Sequence, residues 1–545
     1  MQLLPLSVWI LSTLLLCASG FAGNGSKPNV VFVLADDLGI GDVGCYGGER
    51  CKIETPNIDQ LAAEGIRFTD AHVNASVCQP TRIAIMTGRY PWRFDRAAPG
   101  GAWGYVGLSM PDTTYTLGDM FRQAGYSTGY IGKWHLGTAM ATTDNAPQNI
   151  RNVDYATPLR CGAPEFGFDY SFVLPGSLDM YPYAFIENNV WQGDVTATKG
   201  WSAFNRQGPA AQDFQDHEVL ETFYKTTEQF LERQQASKPF FLYLALTAPH
   251  TPTSPGIDWQ GKSSLGVYGD FVMEVDHAVE RVRTKLNELG LDKNTVIVFS
   301  SDHGPASYAG NILKATKGQM KALEAKGHHA NGPYRGYKFS VYEGGLRVPL
   351  IVSGPESDFA RAQECGALVG LCDLMATFAS LAQIELSDTQ GVDSVSFAEC
   401  LTNPDAIGAR EDLIMQSIGP FVVRHKEWKL CLCPGSGATG RYGNEPPSEE
   451  AWRAAVMLAG DLSNAKRLKE WPFVQLFNLE DDPGEEINLA KKYPDRVAEM
   501  YRLLQRQVEK GRSTAGPRQA NDRTKVNVHQ RVPDFVRRAQ AAPRN

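Results

Sequence analysis

The chain of 545 residues is 43 % hydrophobic and 21 % charged, the composition of an ordinary globular protein with enough apolar surface for a large core. Its net charge of -8 gives no support for nucleic-acid binding, which usually needs a basic face, and an anionic substrate has to be held by a few local cations. At roughly 150 residues per domain the length would fill three to four average units, although α/β folds use far more residues in one.

The first segment in chain order reads as targeting. Met1-Gln2-Leu3-Leu4-Pro5 leads into an apolar run from Leu6 to Ala18, then small residues through Gly23. A bilayer needs about 20 apolar residues, so the run is too short to span one, and the Ala, Ser and Gly that follow it suit a secretory signal. Residues 1–23 are therefore expected to be removed on export to the periplasm or the medium. No later stretch is long and apolar enough for a transmembrane anchor.

Five runs rich in apolar and β-branched residues read as buried parallel strands: Asn29–Ala35, Ser127–Ile131, Pro239–Thr247, Thr295–Ser300 and Val348–Ser353. Helical patterns lie between them. Asn57–Glu64 follows Pro56, Thr116–Ala124 ends at Gly125, and Tyr268–Leu289 ends at Gly290. This alternation implies an α/β fold over residues 24–409, with a large, mostly parallel sheet sandwiched by helices. Asp144–Arg206 has little periodicity and is expected to form long loops over a site.

From about residue 410 the runs shorten: Leu413–Ile418, Phe421–Arg424, Trp428–Cys433 and Leu476–Leu479, then a helix near Pro494–Lys510. They suggest a smaller C-terminal antiparallel sheet with one packed helix over 410–511. The polar, basic stretch 512–545 is expected to be a loose tail. Of ten cysteines, eight remain once Cys17 goes with the signal and Cys78 is set aside. They could pair in an exported protein, but spacing does not fix connectivity, and free buried thiols fit as well.

In open parallel sheets, ligands bind beyond the carboxyl ends of the strands. Asp36 and Asp37 follow the first run, Lys133 and His135 the second, His250 the third, and Asp302 and His303 the fourth. Each alone is an ordinary turn former or core histidine; at one edge they converge. Asp36, Asp37 and Asp302 form an oxygen-rich set suited to calcium, or magnesium, rather than zinc, while His303 would add a nitrogen ligand unusual for calcium. In Cys78-Gln79-Pro80-Thr81-Arg82, Pro80 suits the first position of a helix, which leaves Cys78 at its mouth. Free N–H groups there favour an anion, and Arg82 lies one turn inward on the same face. By spacing alone, a buried Cys before an ordinary capped helix fits equally.

Continued by Thr87-Gly88-Arg89, that segment resembles the signature of the formylglycine-dependent sulfatases, arylsulfatase-like enzymes of the alkaline phosphatase superfamily. Gly129-Tyr130-Ile131-Gly132-Lys133-Trp134-His135-Leu136-Gly137 resembles the family's second signature. Asp36-Asp37, Thr247-Ala248-Pro249-His250, Ser301-Asp302-His303-Gly304, and Lys338 before Tyr342-Glu343-Gly344-Gly345 match as well. So do Leu476-Phe477-Asn478-Leu479, Asp482-Pro483-Gly484-Glu485 and Asn488-Leu489, in family order from about residue 28 to 505. Position 81 is Ser or Ala in many members, and position 303 is Asn in many.

The resemblance implies an alkaline phosphatase-like fold and a separate formylglycine-generating enzyme that oxidises Cys78. One hydroxyl of the hydrated aldehyde would attack sulfur, and loss of a proton from the other would expel sulfate. Asp36, Asp37, Cys78, Asp302 and His303 would hold calcium. Arg82 and Lys133 would steady the nucleophile, His135 would take the proton that releases sulfate, and His250 and Lys338 would bind sulfate and protonate the leaving oxygen. The implied substrate is a sulfated carbohydrate or a small sulfate ester. Pro164–Asn189, rich in Tyr, Asp and Asn, is the candidate sugar-binding region. His217, His277, His328 and His329 are further candidates for the pocket. Rival readings are a phosphomonoester or phosphonate monoester hydrolase on the same fold, and a secreted binding protein with an unmodified Cys78. Asn24-Gly25-Ser26 and Asn74-Ala75-Ser76 match the glycosylation pattern. The sugar, the sulfated position, endo or exo action and the oligomeric state are not written in the sequence.

Overall fold

A computed structural model describes residues 27–95, 104–200, 206–309, 319–355, 359–417, 419–433, 435–437, 474–526 and 528. The expected signal peptide and Asn24 lie outside the described residues. In chain order the main strands are β1 (Asn29–Asp36), β2 (Ile66–Phe68), β3 (Ser127–Lys133), β4 (Tyr170–Leu174), β5 (Ile186–Glu187), β6 (Val190–Trp191) and β7 (Phe240–Pro249). They continue as β8 (Thr295–Ser301), β9 (Leu350–Ser353), β10 (Gln363–Cys365), β11 (Asp412–Gln416), β12 (Phe421–His425), β13 (Trp428–Cys431) and β14 (Gln475–Asn478).

β1 to β10 form one sheet in the order β10-β2-β9-β8-β1-β7-β3-β4-β5-β6. Its centre, β8-β1-β7-β3-β4, is parallel. Every residue of β1 is buried, as two-sided burial requires of a central parallel strand. Alternate residues of β7 meet opposite helix layers. Phe241 stacks on Phe121 of the helix Leu117–Gln123 at 4.1 Å, while Phe240 meets Phe230 of the helix Val219–Glu232 at 6.1 Å. β3 and β7 approach so closely at Gly132 (φ 117°) that a Cβ there would lie 1.8 Å from the Ala245 carbonyl oxygen. Only glycine fits that crossing.

The sheet departs from the sequence reading in two places. Val348–Ser353 was expected among the parallel strands, but β9 runs antiparallel to β8. β9 enters the sheet at the end where β8 leaves it, Leu350 pairing with Ser300 and Ser353 with Ile297. Asp144–Arg206 is not all loop: β4 lies parallel beside β3, and the hairpin β5–β6 carries the sheet outward. Tyr170 and Phe172 of β4 are only partly buried, so this flanking strand lacks the continuous apolar run of a central one.

β11 to β14 form a separate antiparallel sheet, with the helix Pro494–Lys510 packed on it. A fully buried ion network joins it to the main sheet. Lys429 Nζ lies 2.8 Å from Glu343 Oε1 and 2.8 Å from Glu485 Oε1. The polar stretch after 511 is not loose as far as it is described. Ser513 donates its backbone N–H to Asp393 Oδ1 at 2.9 Å, and Arg93, itself bound to Asp393, donates to Asn521 Oδ1 at 2.7 Å. Ser513 and Asn521 thus anchor it to a buried ion pair.

Among the described residues no two cysteines are joined in a disulfide. Among the described residues no helix is long and apolar enough to cross a membrane. Asn74 is fully buried, donating to the Ile414 carbonyl at 3.4 Å and accepting from Cys372 N–H at 3.2 Å, so its sequon is closed to a glycan in the folded protein.

Replacing Lys429 by Met should leave Glu343 and Glu485 buried without a shared cation. Denaturant unfolding should then report a loss of about 3–5 kcal/mol; a loss under about 1 kcal/mol would mean the network contributes little to joining the two sheets.

Candidate active site

Five parallel strands end at one edge, and four of them deliver charged or imidazole side chains there. β1 ends at Asp36, with Asp37 next in a left-handed turn (φ 65°); β3 ends at Lys133, β7 leads to His250, and β8 leads to Asp302 and His303. A helix N-terminus meets this edge. Val77 is extended and Cys78 opens the helix Cys78–Thr87, all of whose residues are buried. Pro80 is therefore the third helical residue rather than the first, a position whose missing N–H is likewise not needed within the helix.

Asp36, Asp37, Cys78, Asp302 and His303 each offer one ligand atom, and these atoms lie within 4.8 Å of one another. Cations interleave with them. Lys133 Nζ donates to Asp36 Oδ2 at 2.6 Å, and Lys338 Nζ donates to both oxygens of Asp37 at 2.6 and 2.9 Å. Arg82 Nε donates to Asp302 Oδ2 at 3.0 Å while its Nη1 holds the Lys133 carbonyl at 3.0 Å. Arg82 thus braces the carboxylates, a different task from steadying the nucleophile directly. Around Cys78 Sγ stand His303 Nε2 at 3.1 Å and Lys338 Nζ at 3.6 Å.

Burial would raise the Cys78 thiol, but Lys133, Lys338 and His303 outweigh it and hold the group well below its ordinary value. Burial would also raise Asp36, yet Lys133, His250 and Arg82 hold it at about 2. Asp302 is pushed the other way, to about 7, by burial and by the charge of Asp36. His303 is lowered by burial but raised further by Asp302, Cys78 and Asp37, to about 9. Burial and Lys133 lower His135, which sits at positive φ beside Cys78, whose interaction pulls the other way.

The donor set fits a hard divalent cation. Three carboxylates crowd together, Asp302 resists ionisation beside Asp36, and Asp36 Oδ1 is buried with no hydrogen-bond partner. A cation between them would relieve all three costs.

His250 sits one step outward. Its Nε2 is 3.8 Å from Asp37 Oδ2, and its Nδ1 faces Ser177 Oγ at 3.4 Å and Asp179 Oδ1 at 4.0 Å. Of the expected sugar-binding region, Phe166 and Phe168 are core residues packed on Trp134 and Tyr130, and Tyr170 stacks on Phe230. Only the turn after β4, with Ser177 and Asp179, reaches the site. None of the four further histidines is brought to it. His217 and His277 lie near Glu218 and Glu280, and His329 donates its backbone N–H to the Arg50 carbonyl.

His328 does something the sequence did not signal. Its Nε2 lies 2.8 Å from Asp42 Oδ1, while Asp42 Oδ2 accepts from Gly39 N–H and Tyr268 O–H, each at 2.7 Å. That brace fixes the loop carrying Asp37.

Residues 28–384 match the sequence profile of the family described as Sulfatase, and the chain belongs to that family. It is 30 % identical over 521 residues to the N-acetylgalactosamine-6-O-sulfatase of Bacteroides thetaiotaomicron, covering 88 % of this chain and 93 % of the relative. The N-acetylgalactosamine-6-sulfatase of Sus scrofa is 31 % identical over 527 residues, 91 % of this chain and 89 % of the relative. A Bacteroides thetaiotaomicron structure from work on glycosaminoglycan metabolism superposes with a TM-score of 0.73 at 27 % identity, covering 88 % of this chain and 99 % of that one. The phosphonate monoester hydrolase of Agrobacterium radiobacter shares the fold, with a TM-score of 0.52 at 16 % identity over 88 % of this chain and 95 % of its own. Alkaline phosphatase-like architecture and sulfuric ester hydrolysis follow from this membership.

A divalent cation bound by this cluster should raise the melting temperature, and a chelator should reverse the gain; calcium is the first ion to test. At calcium one hundred times its dissociation constant the gain is about 2.7 kcal/mol. Asp36→Asn should shrink that increment; a wild-type melting curve indifferent to chelator and calcium would reject the metal site.

Proposed function

We propose that the protein is an exported sulfatase acting on a sulfated carbohydrate, with a formylglycine made from Cys78 and a calcium ion. The observation that carries this reading is the gathering of three strand-end carboxylates, His303 and residue 78 within 4.8 Å. The relatives named for N-acetylgalactosamine 6-sulfate support a sugar as substrate.

Calcium would be held by Asp36, Asp37, Asp302, His303 and residue 78; it supplies positive charge for the sulfate and lowers the pKa of a hydroxyl beside it. A formylglycine at 78 supplies a nucleophilic hydroxyl and, on returning to its aldehyde, a way to let sulfate go. The chain's own groups do the rest. Lys133 and Arg82 fix Asp36 and Asp302 and so the edge against which residue 78 reacts. Lys338, spanning Asp37 and residue 78, is placed to hold a sulfate oxygen. His135, with burial and Lys133 favouring its neutral form, is free to accept the proton whose loss releases sulfate. His250, at the outer side of Asp37, stands with Lys338 as donor to the leaving oxygen. A monoanionic sulfate ester suits this balance of three carboxylates against Arg82, Lys133, Lys338 and a divalent ion; phosphate, carrying more charge, would call for more cations.

Co-expression with a formylglycine-generating enzyme should convert the Cys78 peptide from thiol to aldehyde by mass, and the enzyme should favour nitrophenyl sulfate over nitrophenyl phosphate. A strong phosphate preference would reverse the assignment. Cys78→Ala should lower kcat/KM by more than about a hundredfold, since removing a nucleophile costs at least that much. Lys338→Ala should lose about 10²–10⁴ in kcat/KM on a sugar sulfate and less on nitrophenyl sulfate, whose leaving group needs no proton. Equal losses would give the donor role to His250.

A further inference from the structure

We propose that Asp179 is the specificity carboxylate of this site, accepting a hydrogen bond from the ring hydroxyl nearest the scissile ester. This rests on the carbohydrate-sulfatase reading and extends it to a named contact. Asp179 lies in the turn beyond the carboxyl end of β4, at the edge where the other four strands present the reacting groups. Its exposure is 6 %, yet Oδ1 has no hydrogen-bond partner. A buried acceptor left unsatisfied costs about 1–3 kcal/mol, more for a charged group, and calls for an explanation.

The other oxygen is fixed. Arg206 Nη1 donates to Asp179 Oδ2 at 3.0 Å and to its backbone carbonyl at 2.9 Å, so the carboxylate cannot swing to find a partner. Serving His250 does not account for Oδ1 either. Its distance of 4.0 Å from Nδ1 is too long for a hydrogen bond, and Ser177 Oγ is nearer that nitrogen at 3.4 Å. Because the opposite nitrogen of His250 is 3.8 Å from Asp37, Asp179 stands one imidazole ring outward from the ligand cluster. There the first ring atoms beyond an ester oxygen held at residue 78 would arrive. Tyr181, two residues on, packs its ring against Tyr105 at 5.7 Å and walls the same turn with aromatic surface suited to a sugar. A carboxylate fixed on one side and open on the other recognises a hydroxyl and penalises its absence.

The test uses the mature full-length enzyme and three probes: N-acetylgalactosamine 6-sulfate, its 4-deoxy analogue and nitrophenyl sulfate. Wild type should favour the hydroxylated sugar over the deoxy sugar by about 10- to 100-fold in kcat/KM, the worth of one charged hydrogen bond. Asp179→Asn should collapse that preference to within about threefold and lower the ratio of sugar to nitrophenyl sulfate turnover by a similar 10- to 100-fold. Because nitrophenyl sulfate reports the active folded fraction, the ratio is insensitive to folding losses. An unchanged preference in the variant, or an equal drop on all three probes, would overturn the assignment. Wild type that cleaves nitrophenyl sulfate but neither sugar would instead overturn the carbohydrate reading, and Asp179's role with it.

Discussion

The molecule is organised around a charge problem at one edge of its sheet. Asp36, Asp37 and Asp302 are fully buried within reach of one another, where their repulsion and lost hydration would be prohibitive if nothing answered them. Arg82, Lys133 and Lys338, equally buried, each grip one of these carboxylates. The residual imbalance, visible in Asp302 pushed to about 7 and in the unmet oxygen of Asp36, is the space a divalent ion fits. Parallel strands can assemble such a cluster because each contributes one or two residues from its end, on backbone fixed by neighbours on both sides.

Much of this was legible before the fold was known, for identifiable reasons. Central strands are buried on both faces, so β1, β3, β7 and β8 wrote themselves as apolar runs, and the polar residue after each run was a site residue. The same rule failed at β4 because its flank position leaves Tyr170 and Phe172 half-covered and admits Ser171. Asp179 was legible instead through the Tyr-, Asp- and Asn-rich composition of Pro164–Asn189 rather than through the strand-end rule. The direction of β9 was equally silent, since an apolar run carries no sign of which end the chain enters. His328 and Asp42 are separated by 286 residues, and nothing local marks either as half of a brace.

The C-terminal sheet plays a quieter part in the same scheme. Glu343 and Lys429 meet across the junction, and Glu343 lies five residues after Lys338, at the start of the short helix Glu343–Leu346. The stretch after 511, where described, closes over the pair Arg93–Asp393, Arg93 lying six residues beyond the helix that Cys78 opens. Both attachments tie peripheral chain to segments that carry site residues, so the smaller sheet and the tail act as buttresses for the edge.

Cys78 exposes only 2 % of its surface. A second protein cannot grip a side chain so enclosed, with its helix packed on every side and Pro80 stiffening the approach. If the thiol is to be oxidised by another enzyme, the encounter belongs to the interval before β1, β3, β7 and β8 pair around it. Folding and maturation are then in a race, and a chain that closes first is a well-formed protein locked in its inert state.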